Sequence, residues 1–198
     1  MKVVRLALMA ALPVVLLAGC QKNPLKITRT LCPAHAVAKS AGTMTLFSPP
    51  ESRNADAMVA SAAITGLTNN CTEGADPVAS NLRITIGAQR PAAGSEQTVT
   101  LPYFVAVVKG GNQLISKQVY QATVRFPAGQ LRAETVETVR ANIDRAAALA
   151  ALPPKPDKKR RDENPEDVFM DAAPKAASFE VLVGFQLADS DVLYNITR

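Results

Sequence analysis

A period-two alternation of apolar and polar residues is the feature that most constrains the fold of this chain. It is clearest in four runs, over residues 82–86, 99–107, 114–126 and 179–187. Side chains on a strand alternate between its two faces, so each run predicts a half-buried β-strand. Clusters of Gly, Pro and Asn between the runs predict turns. Gly110-Gly111-Asn112 predicts a hairpin turn, because these residues accept positive φ at little cost.

The apolar members of these runs share one phase in each strand and are the candidate core. They are Leu82, Ile84, Ile86, Val99, Leu101, Tyr103, Val105, Val107, Leu114, Tyr120, Ala122, Val124, Phe126, Phe179, Val181, Val183, Phe185 and Leu187. Aromatic residues make up only 5% of the chain and Trp is absent, so aliphatic side chains must fill most of the core.

Six or seven strands without interleaved amphipathic helices predict an all-β, immunoglobulin-like antiparallel β-sandwich. We place the sandwich in residues 31–152 and 179–190, followed by a C-terminal tail over residues 191–198. Residues 31–45 fit either a first strand or an irregular lead-in. The Ala-rich residues 140–152 predict a short helix.

Residues 153–178 interrupt the pattern with charge and proline. The segment carries six basic and six acidic residues, and it has little that can be buried. It predicts a long disordered loop. Within it, Lys158, Lys159, Arg160 and Arg161 fit either a solvated stretch or a contact with an anionic envelope polymer, such as lipopolysaccharide or peptidoglycan carboxylates.

The first nineteen residues have the layout of a secretory signal. Lys2 and Arg5 precede an apolar run over residues 6–18, which ends in Ala18-Gly19. A short charged start, an apolar centre and small residues at a cleavage site are typical of an exported protein. The alternative is an uncleaved membrane helix over residues 3–19, which is short against the usual requirement of about 20 residues.

The tetrapeptide Leu17-Ala18-Gly19-Cys20 resembles the lipobox of bacterial lipoproteins. This resemblance implies that the Cys20 thiol is diacylated, that cleavage occurs before Cys20, and that the new amine is acylated. Residues 20–30 would then be the acylated cysteine and its tether, with the membrane as a partner through the lipid. Gln21 rather than Asp follows the cysteine, which by the same resemblance implies the outer membrane.

The other two cysteines, Cys32 and Cys71, form one possible pair. In an oxidising compartment we expect a disulfide between them. Two free buried thiols are the alternative. A metal site is weaker still, because His35 is the only histidine in the chain. We therefore expect neither a metal nor a cofactor.

No arrangement of residues in the sequence indicates catalysis. His35 has no recognisable nucleophile or acid around it, and Glu134 and Glu137 would point to opposite faces of a strand. Asp144 is the third acid that could act with them in acid–base chemistry, and a solvated face is the better interpretation of all three. Asp189-Ser190-Asp191 resembles a fragment of a calcium-binding loop but lacks the rest of any known spacing. The net charge of +5, about +3 without Lys2 and Arg5, is too small to indicate nucleic acid.

Two segments, LPYFVAVV at residues 101–108 and FEVLVGFQL at 179–187, resemble segments of small alphaproteobacterial lipoproteins. The surroundings of Cys32-Pro33 and Asn70-Cys71 are similar too, so the resemblance spans most of residues 31–187. It implies a lipoprotein and a β-sandwich. That family has no assigned activity, so the resemblance transfers no active site, and the 153–178 insertion is unusual for it.

Together these features favour a lipoprotein anchored to the outer membrane, facing the periplasm, that acts as a non-catalytic binding or assembly module with an envelope protein as partner. A tether to peptidoglycan, with residues 153–178 as a reaching arm, is the first alternative. A cell-wall-modifying hydrolase is the second and weaker one.

The lipid anchor can be tested at Cys20. Replacing Cys20 with Ala removes the thiol that the lipobox reading requires, so the variant should take up no radioactive fatty acid and should accumulate as precursor or soluble protein. Metabolic labelling in a Gram-negative host measures this directly. Equal label in the variant and the wild type would refute the anchor.

Overall fold

The computed structural model describes residues 30–152 and 179–197, which form a two-layer β-sandwich. Cys20, Lys158, Lys159, Arg160 and Arg161 lie outside these ranges, so their predicted roles stay predictions. The strands are β1 (Ala34–Val37), β2 (Thr43–Phe47), β3 (Met58–Thr72), β4 (Val78–Gln89), β5 (Gln97–Lys109), β6 (Gln113–Phe126), β7 (Arg132–Ile143) and β8 (Phe179–Phe185). The helices are a 3₁₀ turn (Ala55–Ala57), α1 (Arg145–Ala150) and α2 (Asp189–Thr197).

The strands divide into two four-stranded sheets. Sheet A has the order β1-β8-β5-β6, and sheet B has the order β2-β3-β4-β7. The chain crosses from sheet B to sheet A between β4 and β5, and again between β7 and β8. Because β4 adjoins β7 and β5 adjoins β8, these two crossings interlock, as strands B, C, E and F do in the immunoglobulin sandwich. The predicted all-β sandwich is confirmed.

One strand pair departs from the expected antiparallel arrangement. Strand β1 pairs in parallel with β8, with Ala34 opposite Glu180 and Val37 opposite Val183. All other pairs are antiparallel. Parallel neighbours need a long connection, and here the whole of β2–β7 lies between the two strands.

The core consists of the alternating residues that the sequence indicates. Leu82, Ile84 and Ile86 are fully buried from sheet B, and Leu101, Val181 and Val183 face them from sheet A. Leu114 is the exception among the predicted members, since its side chain is 59% exposed. The register of β6 against β5 shifts next to it, so Leu114 pairs with Val108, while Ser116 pairs with Val107. This bulge at Ile115 moves Leu114 to the outer face of sheet A.

The helix predicted within residues 140–152 is confirmed over a shorter range. Residues 140–143 belong to β7, and α1 begins after Asp144, whose carboxylate accepts a hydrogen bond from the Ala147 amide at 2.7 Å. This is a standard N-cap, and it explains why the strand changes to a helix at this residue.

The C-terminal residues form a docked helix over Asp189–Thr197, which takes up most of the segment assigned to a C-terminal tail over residues 191–198. The Arg53 guanidinium pairs with Asp191 at 2.7 Å. The Asn195 amide donates to the Ser40 and Thr43 carbonyls at 3.3 and 2.7 Å. Tyr194 packs edge-on against Phe47. Helix α2 therefore packs beside β2 and the loop that joins β1 to β2, while all four residues of β1 remain exposed.

Arg90 connects two loops at one end of the sandwich. Its side chain is 4% exposed and its guanidinium donates to four backbone carbonyls: Gln130 at 2.7 Å, Ser95 at 2.7 Å, Gly94 at 3.2 Å and Pro127 at 3.2 Å. The guanidinium also lies over the Phe126 ring. These carbonyls belong to the β4–β5 and β6–β7 loops, so a single cation holds both loops in place.

The contribution of Arg90 can be measured by substitution. Arg90→Met keeps much of the side-chain volume but leaves the four carbonyls without their donors, so the free energy of unfolding should fall by at least about 3 kcal/mol. Arg83→Met is the matched control, because Arg83 is exposed on β4, and it should change stability by less than about 0.5 kcal/mol. Chemical denaturation of both variants measures the two changes in the free energy of unfolding. Similar changes would show that the carbonyl contacts of Arg90 contribute no more to stability than an exposed arginine does.

Candidate functional site

Cys32 and Cys71 form a disulfide, as predicted, with their Cα atoms 5.8 Å apart. The bond joins the segment before β1 to the end of β3. Nearby, Thr30 hydrogen-bonds the Glu73 carboxylate, and Arg145 donates to the Glu73 carbonyl. We call this the tether end of the sandwich, because the chain enters the described domain here. Arg90 lies at the opposite end.

The remaining polar residues that the sequence singled out are separate from one another. His35 is exposed on the edge strand β1, Asp144 caps α1, and Asp191 is paired with Arg53. Gly110 and Gly111 form the predicted turn with φ of 63° and 77°. Nowhere in residues 30–152 and 179–197 do three or more His, Cys, Asp or Glu side chains come together in a way that could hold a metal ion.

Glu134 and Glu137 lie on opposite faces of β7, as predicted. Glu134 is exposed on the outer face, whereas Glu137 is half-buried in the phase that points between the sheets. Its carboxylate accepts a hydrogen bond from the Thr135 hydroxyl at 3.4 Å. A carboxylate therefore faces the interior of the sandwich, close to two tyrosines of sheet A.

The two tyrosines, Tyr103 and Tyr120, pair directly across β5 and β6. Their rings stack with centroids 5.5 Å apart, and the Tyr120 hydroxyl donates to the Gln118 side chain. Tyr103 is 1% exposed. Burial, and then the negative charge of Glu137, raise the pKa of Tyr103 to about 12, because both disfavour the phenolate.

Next to this pair, a cleft of about 230 Å³ opens between the edges of the two sheets. Val105 and Val107 of β5 form its floor with Ala141 of β7. Its walls carry polar side chains from both edge strands: Ser116, Gln118, Tyr120, Arg140 and Asn142. An apolar floor with a few converging polar groups is the usual make-up of a binding site. The cleft is close to the tether end, since β5 and β7 end there.

The exposed half of β6 forms the outer rim of this cleft. Every side chain over residues 113–119 is exposed, including Ile115 at 49% and Val119 at 52%. The cause lies in the sequence: Ser116 and Gln118 are polar at positions where the strand would otherwise present core residues. These two residues interrupt the apolar phase of β6, and they were the sequence signal for the cleft. Arg140 and Asn142 gave no such signal.

A larger depression, of about 630 Å³, lies on the outer face of sheet B. Small residues produce it, among them Ala63 and Gly87, and it is wide open to solvent. The inter-sheet cleft is more enclosed and brings polar side chains of two sheets together over an apolar floor, so it is the better candidate site.

Comparison of the chain with protein-family models, with curated proteins and with solved structures gives no match. Over the described residues, no helix has both the length and the apolar content needed to cross a membrane. The functional argument therefore rests on the residues of the sandwich itself.

The electrostatic link between Glu137 and Tyr103 can be tested by titration. Removing the carboxylate charge in Glu137→Gln should lower the pKa of Tyr103 from about 12 toward its ordinary value of 10.0. The wild type should lose stability as the pH rises from 10 toward 12, because only the unfolded state ionises this tyrosine there. Tyrosinate absorbance and denaturation at each pH measure both effects.

Two further variants make the titration specific. Tyr103→Phe should remove the high-pH component of the absorbance, and Glu134→Gln should leave it unchanged, because Glu134 lies on the outer face. An equal effect of Glu134→Gln and Glu137→Gln would contradict the placement of Glu137.

Proposed function

We propose that this chain is a lipid-anchored, non-catalytic binding module of the bacterial cell envelope, held at the outer membrane and facing the periplasm. The anchor is supported by the L-A-G-C sequence at Cys20 and the preceding signal-like segment. The disulfide between Cys32 and Cys71 supports an exported location, since such bonds persist in oxidising compartments.

The cleft beside the exposed edge of β6 is the observation that carries the binding role. Helix α2 docks against β2 and the β1–β2 loop and leaves β1 exposed, whereas at the side between β6 and β7 an exposed strand edge borders a cleft with converging polar groups. The polar groups around this cleft are hydroxyls, amides and a guanidinium. They suit recognition through hydrogen bonds, and the proposal places binding rather than chemistry there.

The position of the cleft fits attachment to a membrane. Nine residues lie between Cys20 and Thr30, so the two residues can be at most about 35 Å apart when this segment is extended. The cleft lies toward the tether end, so a lipid on Cys20 would keep it near the membrane surface. Leu152 and Phe179, which flank residues 153–178, also lie at this end, because α1 follows β7 and Phe179 pairs with Lys109.

That placement favours the binding module over a peptidoglycan-reaching arm. Residues 153–178 are outside the described ranges, but their attachment points face the proposed membrane rather than away from it. A contact of Lys158, Lys159, Arg160 and Arg161 would then be with anionic lipid headgroups or lipopolysaccharide before peptidoglycan.

Site-specific photocrosslinking in intact cells tests the proposal. A photoreactive residue at Val119, on the exposed half of β6, should give a discrete protein adduct, and Cys20→Ala should weaken it by releasing the chain from the membrane. The matched control is Thr68, exposed on the outer face of sheet B, which should give none. Equal adducts from both positions, or an adduct only with peptidoglycan, would contradict the binding module.

A further inference from the structure

The exposed half of β6 (residues 113–119) has a free backbone edge beside the cleft between the two sheets. Strand β6 is the last strand of sheet A, so one side of its backbone has no neighbouring strand in the described domain. Exposed strand edges of this kind are templates for pairing with a further strand. An added strand would place alternate side chains on the outer face of sheet A and in the cleft.

The outer face next to this edge is apolar. Phe104, Ala106 and Val108 of β5 lie on it, with Leu182 of β8 on their far side and Leu114 and Val119 of β6 on their near side. Gly184 allows this packing, because a Cβ atom there would lie 2.9 Å from the Phe104 ring. A strand added to β6 would therefore find apolar neighbours for its outward side chains.

The charges around the edge are basic. Lys117 lies over the Phe104 ring, with its Nζ 4.5 Å from the ring centroid, and Arg140 lines the cleft. Strand β6 carries Lys117 and Arg125 as its charged residues and no acid. Arg125 is already paired with Glu96 at 2.6 Å, so Lys117 is the cation of the exposed half, with no carboxylate partner among the described residues. The described residues that line the cleft include no carboxylate, although Glu137 lies deeper, beside Tyr103.

We infer that β6 pairs with an extended, acidic segment of an envelope protein, whose apolar side chains face outward beside Val119 and whose acidic side chains enter the cleft toward Arg140. This inference rests on the proposed binding module and names its partner. Backbone hydrogen bonds to β6 supply the pairing. The charge of Arg140 at the cleft selects acidic over basic segments, and Lys117 on the outer face adds to the positive potential of the edge. A second copy of this chain fits less well, since its β6 would add basic charge to a basic edge.

A synthetic peptide can probe this edge without knowledge of the natural partner. The probe is a fluorescein-labelled heptapeptide in which valine alternates with glutamate and threonine. Its binding to the full chain is measured by fluorescence polarisation. We expect the peptide to bind, and we expect a higher salt concentration to weaken the binding. A peptide with lysine in place of glutamate, and one with N-methyl groups that block backbone pairing, should bind at least about tenfold more weakly.

Variants of the chain then locate the binding. Arg140→Gln should weaken the acidic peptide by about tenfold. Arg132→Gln, the same change at the Arg90 end of β7, should not. Arg140→Glu should weaken the acidic peptide and strengthen the lysine peptide, a reversal that misfolding cannot produce. Thermal unfolding of each variant confirms that the fold is retained.

Several results would overturn the inference. They are the absence of binding at millimolar peptide, equal binding of the N-methylated peptide, and equal affinities of Arg140→Gln and the wild type. Self-association of the chain that Val119→Lys abolishes would assign the edge to a second copy instead. None of these outcomes affects fatty-acid labelling of Cys20, so the experiments test the lipid anchor and the strand-pairing surface independently.

Discussion

The buried guanidinium of Arg90 is the interaction on which the alignment of the two sheets most depends. It donates to carbonyls of the loop that crosses from β4 in sheet B to β5 in sheet A, and to carbonyls of the loop that returns from β6 to β7. Both crossings are thereby fixed by one side chain. Backbone carbonyls, rather than a carboxylate, compensate the buried charge, so the cation fits only when both loops adopt these conformations.

This alignment determines where the sandwich is open. With β6 and β7 held together at the Arg90 end, Ala122, Val124 and Phe126 of β6 pack into the core. Toward the tether end, Ser116 and Gln118 replace such residues, and the two edge strands separate around the cleft. On the opposite side, Arg53, Tyr194 and Asn195 dock α2 against β2 and the β1–β2 loop. The position of the cleft is therefore determined by a few polar residues of β6.

The sequence alone was sufficient to predict most of the strands, but it was not sufficient to predict the contacts that join them. Alternation predicts β4, β5, β8 and most of β6 because burial of one face imposes period two. Clusters of Gly and Asn are expected to mark turns between strands, yet β3 runs through Gly66 and Asn69-Asn70 to Thr72, with a bulge after Ile64 that absorbs the irregularity. In this case the pairing with β4 outweighed the local preference of glycine and asparagine.

The contacts of Arg90 and the docking of α2 could not be predicted from the sequence, for related physical reasons. The partners of Arg90 are carbonyls, which every residue has, so no pattern of side chains marks them. Helix α2 docks through Asp191, Tyr194 and Asn195 and leaves Leu193 and Ile196 about 60% exposed, so its apolar residues do not show the buried face. The cleft itself required the register of β5 against β6 and the neighbouring edge of β7, which only the folded chain brings together.

The tether end combines three features that a binding module at a membrane requires. The disulfide fixes the entry of the chain to β3, so a force transmitted through residues 21–29 acts on the sandwich and not on a loose segment. The free edge of β6 offers directional hydrogen bonds, and the tyrosine pair stiffens the inner wall of the cleft. Glu137 sits behind that wall as a fixed negative charge. Its repulsion limits how deeply an acidic side chain can enter, so the carboxylates of a paired strand would stop at Arg140 near the rim, where solvent reduces the desolvation cost of the ion pair.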